Sequence, residues 1–60
     1  MFILLTNTEE YIEEYLFGVL LKTKSLERAM VFEKRQLALD FKDLLFLELK
    51  LIVSVNTYIK

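Results

Sequence analysis

Neither cysteine nor histidine occurs in these sixty residues, so no disulfide and no zinc site of ordinary composition can hold the fold together. Packing must do so in a chain near the lower size limit of an independent domain. Area scaling removes roughly 6,300 Å² from water on folding. With about 60% of it apolar, burial contributes on the order of 95 kcal/mol, against about 90 kcal/mol for ordering the chain. A monomer is therefore marginal, and oligomerisation is the common supplement that remains. Composition points the same way: 55% of residues are apolar and mean hydropathy is +0.37, more than so short a chain can hide within itself. The expectation is a single domain over residues 1–60 that assembles as a homo-oligomer, a dimer or larger.

Hydrophobicity raises the question of a membrane. The longest charge-free runs are residues 1–8, 15–21 and 51–59, all well short of the ~18–20 that span a bilayer. The start, Met1-Phe2-Ile3-Leu4-Leu5-Thr6, has neither the basic residues nor the small-residue cleavage site of a signal peptide. The chain is expected to be a complete cytoplasmic product without a transmembrane segment.

Helical spacing dominates the pattern. Thr6-Asn7-Thr8-Glu9-Glu10 reads as a helix start, with Asn7 capping and Glu10 reaching back. Ile12, Leu16, Val19 and Thr23 then line one face, which predicts a first helix over residues 8–22. Gly18 falls inside it, where it either admits a close helix neighbour or loosens the helix. After a turn at Thr23-Lys24-Ser25, with Ser25 as N-cap, no strong breaker follows. Met30, Leu37, Leu44, Leu51 and Tyr58 recur at sevens; Val31, Ala38, Leu45, Ile52 and Ile59 form a second rail, and Phe32, Leu39, Phe46 and Val53 a third. Gln36, Asp43, Lys50 and Thr57 form the one polar stripe. The fold expected is all-α: a helical hairpin of a short helix 1 and a long helix 2 over residues 26–57, straight or kinked near Asp40, assembling as a homo-oligomeric bundle. Met30, Leu37, Leu44, Leu51, Ile52 and Tyr58 are its candidate oligomer interface.

A rival reading stays open. From residue 47 to 56 apolar and polar side chains nearly alternate, broken only at Ile52, and a period of two is a strand signal. Residues 1–6 are the natural partner, giving an α+β unit with short N-terminal and C-terminal strands around two helices. Against it, residues 40–43 contain no Gly, Pro or Asn to turn the chain, and leucine favours helix.

Without His or Cys, the commonest general base and the strongest nucleophile are absent, so no enzyme is expected and no cofactor is implied. Glu9, Glu10, Glu13 and Glu14 form a candidate acidic docking face. The bland alternative is a solvated first helical turn complementing the dipole, and a carboxylate metal site lacks the histidine that usually completes it. Lys22, Lys24, Arg28, Lys34 and Arg35 form a candidate basic patch that a dimer would double into a phosphate-tracking surface. The sequence pI of about 5.3 argues against nucleic acid, and pairing with the glutamates is the plainer role. The function expected is a small non-enzymatic protein-interaction module, a regulator, inhibitor, adaptor or assembly component. The alternatives are a dimeric nucleic-acid-binding regulator and a membrane-surface protein. The last is suggested by residues 1–5 and opposed by glutamates where interfacial helices carry Lys and Arg.

Overall fold

Phe2-Ile3-Leu4-Leu5 is apolar on both of the faces a strand presents, which suits a strand covered on both sides. In the computed structural model, which describes residues 1–59, this segment is the inner strand β1 (Phe2–Thr6). The remaining strands are β2 (Tyr11–Leu16), β3 (Val19–Thr23) and β4 (Val53–Thr57), with one helix, α1 (Arg35–Leu49), and a 3₁₀ turn at Leu26–Arg28. The sheet order is β3-β2-β1-β4, and every pair is antiparallel. The fold is thus α+β. The all-α helical hairpin, and the helical bundle built from it, are overturned by the four-stranded sheet, and the α+β alternative fits.

The terminal strands pair as that alternative supposes, Phe2 opposite Thr57 through Thr6 opposite Val53. Val53 and Val55 pack into the core while Ser54 lies exposed, the expected alternation.

Residues 8–22 are a β-hairpin rather than a first helix, and three local features explain the difference. Thr6, not Asn7, supplies the capping oxygen: its buried hydroxyl accepts the backbone N–H of Thr8 (3.3 Å) and of Glu10 (3.1 Å). The backbone N–H of Thr6 in turn donates to the carbonyl of Glu10 at 2.8 Å. These bonds close a three-residue loop, Asn7-Thr8-Glu9, with Glu9 left-handed at φ 62°, a common hairpin geometry. Within β2, the register shifts between Ile12 and Glu14, leaving Glu13 as an unpaired bulge. The bulge puts Ile12 and Tyr15 on the same face of the sheet although they are three residues apart, a spacing indistinguishable from a helix face. Finally, Phe17 and Gly18 both have positive φ, 51° and 76°. They form the two-residue type I′ turn that matches strand twist.

The predicted second helix begins late and ends early. Ser25 makes no side-chain cap, and residues 29–32 run extended as a wedge between β1 and β2. There the N–H of Met30 donates to the carbonyl of Ile12 at 2.9 Å, and Phe2 and Phe32 exchange two bonds of 2.8 Å. α1 stops at Lys50, a left-handed residue at φ 56° whose N–H meets the carbonyls of Leu45 and Phe46.

The core lies between α1 and the sheet. Leu4, Ile12, Ala38, Leu45 and Val53 are buried together. Phe41 meets Phe32 with ring centroids 5.5 Å apart, and Tyr15 edge-on at 6.3 Å. Of the three heptad rails, the second points inward, at its two helical positions, Ala38 and Leu45. Gln36, Asp43 and Lys50 are exposed as the polar stripe requires.

Candidate functional site

The long helical rail that would align the six predicted interface residues is absent, and they scatter. Met30 and Leu51 pack against the core. Leu37 and Leu44 lie on an exposed flank of α1. Ile52, 69% exposed, sits in the link to β4, and the backbone N–H of Tyr58 donates to Met1. Leu51 and Ile52 do share a shallow groove of about 310 Å³ with Lys42, Asp43, Phe46 and Leu47.

The two charged clusters meet in two ion pairs. Lys22 stands 3.8 Å from Glu10, and Arg28 donates to Glu13 at 3.2 Å. Glu9 is in the first turn and Glu14 is exposed in β2, so the four glutamates present no single face. Lys24 follows β3, while Lys34 and Arg35 stand at the start of α1, at the end of the helix dipole that disfavours cations. Acid is interleaved with base across the hairpin and the 3₁₀ turn, which weakens any field for a phosphate backbone. Among the described residues no helix is long and apolar enough to cross a membrane.

The structure exposes a surface that the helical reading had folded inward. β2 and β3 place Tyr15 and Leu20 opposite one another, packed on the core. Alternation turns Leu16, Val19 and Leu21 to the other side, where they are 54%, 60% and 43% exposed. Leu16 faces Val19 directly across the strands, and Leu21 pairs with Glu14, giving a continuous apolar patch bordered by one carboxylate. At its tip stands Phe17, 94% exposed. A local signal for this hairpin exists in the sequence, a residue-Gly pair between apolar neighbours, but Phe is a poor advertisement for a turn that favours Asn or Asp.

On the opposite side of the hairpin, the Tyr15 hydroxyl donates to Glu48 of α1. The Glu48 carboxylate, accepting that proton, holds the phenol above its ordinary range, with burial and the carboxylate's charge adding to the effect. The contact clamps the hairpin to the helix. Neither a family model nor a curated protein nor a solved structure matches the chain.

Proposed function

We propose that this chain is a small non-enzymatic protein-interaction module whose recognition element is the β2–β3 hairpin, with Phe17 as its anchor. The observation that carries this reading is the state of Phe17, a large aromatic almost fully in water and held at φ 51°. Both features are unfavourable to the isolated chain: the left-handed region strains a bulky side chain, and the ring buries nothing. Glu9 and Lys50 are left-handed and exposed as well; what sets Phe17 apart is its ring, since aromatics are the residues that most often anchor interfaces. Leu16, Val19 and Leu21 supply the surrounding apolar contact, and Glu14 a polar rim.

The test separates folding from binding. Phe17→Asn suits the type I′ turn and should leave stability unchanged or raised by up to about 1 kcal/mol. It should cost an interface anchored on this ring about 2 kcal/mol, roughly thirtyfold in affinity. Immobilised wild type and variant are compared for capture from extracts of the native host, beside thermal melts of both. Equal capture with equal stability refutes the reading.

The same tip also fits insertion into a lipid interface, where a Phe anchor flanked by leucine and valine is at home. Flotation with neutral and anionic vesicles tests that second reading, which fails if the protein stays at the bottom of the gradient with both.

A further inference from the structure

We infer that the outer edge of β3 pairs with the same edge of a second copy, antiparallel about a two-fold axis at Leu21, joining two four-stranded sheets into one of eight strands. This rests on the reading of the hairpin as an interaction element and names its occupant.

β3 lies at the end of the sheet order, and among the described residues no strand pairs with its outer side. The two-residue turn makes Leu16 and Val19 the closing hydrogen-bonded pair. Along β3, Val19 and Leu21 therefore direct their N–H and C=O groups to β2, and Leu20 and Lys22 direct theirs to the free edge. Edges of this kind are normally protected by proline, by a bulge, or by free charges. β3 has no proline, the bulge lies in β2, and the one charge, Lys22, is held 3.8 Å from Glu10 of its own chain. β4 on the other edge is Val-Ser-Val-Asn-Thr, polar where β3 is apolar.

The edge is also complementary to itself, as an isologous contact requires. With the axis at Leu21, Leu20 of each copy exchanges backbone bonds with Lys22 of the other. Leu21 then faces Leu21, and Val19 faces Thr23 twice, on the already apolar outer face. No like charges stand directly opposite one another, which would oppose the pairing. Five residues of paired edge bury less than the ~800 Å² per partner of a standard interface, so the expected dimer is weak and concentration-dependent.

Sedimentation of the full chain from about 1 µM to about 500 µM brackets a weak interface of this size. The expected result is a monomer–dimer equilibrium. Leu21→Lys, at an exposed position, should abolish it with an unchanged circular dichroism spectrum. Because the chain has no cysteine, Leu21→Cys is a single-site probe. The non-hydrogen-bonded pair brings the two Cα atoms to about 4.5 Å, within disulfide reach. Oxidised glutathione should then yield covalent dimer at least about tenfold faster than for Ile52→Cys, which is more exposed but off the edge.

A wild type that stays monomeric throughout, with Leu21→Cys cross-linking no faster than Ile52→Cys, overturns the inference. So does a dimer that Leu21→Lys leaves intact. If Leu21→Lys fails to fold, the cross-linking rates decide alone. A monomer that nonetheless loses host-protein capture on Phe17→Asn overturns self-pairing and leaves the interaction module standing. An equilibrium dimer with capture indifferent to Phe17 does the reverse.

Discussion

Deleting one of the two adjacent glutamates of β2 should be tolerated, whereas deleting both should unfold the protein. Glu13 is the extra residue of the bulge, and every other residue of β2 has a partner in β3. Removing it leaves Ile12, Glu14 and Tyr15 in strict alternation, so Ile12 and Tyr15 still face α1 and the ladder to β3 becomes regular. What is lost is the local extra twist and the Arg28–Glu13 contact, whose arginine is largely exposed and which is worth about 0–1 kcal/mol. A change within about 1 kcal/mol moves the melting temperature by no more than roughly 4–8 °C in a domain of this size. Removing Glu14 as well makes Ile12 and Tyr15 neighbours, on opposite faces. One of them then leaves the core, and Ile12 has no exposed surface at all. The loss of such a side chain costs about 2–5 kcal/mol, comparable to the whole of the roughly 3–9 kcal/mol expected for sixty residues. Thermal and urea melts followed by circular dichroism separate the two variants. If the single deletion unfolds the protein as thoroughly as the double, the bulge reasoning is wrong. A helical segment would respond in that way, because one deletion already rotates the rest of the helix by about 100°.

Two further predictions rest on single residues. Lys50→Gly relieves a left-handed lysine at the end of α1 and should raise stability by about 0.5–1 kcal/mol, read as a rise of a few degrees in melting temperature. The Tyr15 phenol should titrate above the ordinary tyrosine range in an ultraviolet titration, because Glu48 accepts its proton, and Glu48→Gln should bring it down. Since the unfolded chain releases that proton first, the contribution of Tyr15 is complete below about pH 10 and declines as pH rises through the folded value. A tyrosine titration identical in wild type and Glu48→Gln would refute the assignment.

Two parts of this fold could be read from the residues, the C-terminal strand and the buried face of α1, although the periods that pointed to them ran past the ends of both elements. The alternation over residues 47–56 yields a strand only at Val53–Thr57, with the apolar N-terminal segment as partner, while residues 47–49 complete α1. Ala38 and Leu45 sit one heptad apart and are the buried positions of α1, with Gln36, Asp43 and Lys50 on its wet side. The hairpin defeated the same logic because a β-bulge converts a period of two into a spacing of three. Ile12 and Tyr15 then look helical, and Leu16 and Val19 extend the illusion across a turn. The boundaries of α1 were hidden for another reason. Lys50 takes a conformation usually left to glycine or asparagine, and the late start follows from backbone bonds that residues 29–32 make to Ile12 and Phe2, which no local propensity encodes. The exposed patch inherited the first error: Leu16 and Val19, assigned to one helical face, are on the outside of a hairpin, and Phe17 is at its turn.

The pairing of Phe2 with Thr57 also sets the order in which the chain can find its structure. The β2–β3 hairpin closes over a two-residue turn and can form within about 1–10 µs. The β1–β4 ladder must first close a loop of nearly the whole chain, at an entropic cost that local contacts do not bear. Refolding should therefore be limited by the arrival of β4, well after the hairpin and α1 are present as fluctuating structure. Substitutions in the hairpin then act mainly on the folding rate, and those in β4 mainly on the unfolding rate. In that interval the β4-facing edge of β1, with the backbone groups of Ile3 and Leu5, stands open to any other strand in solution, so aggregation during refolding should rise steeply with protein concentration even where the native state is soluble.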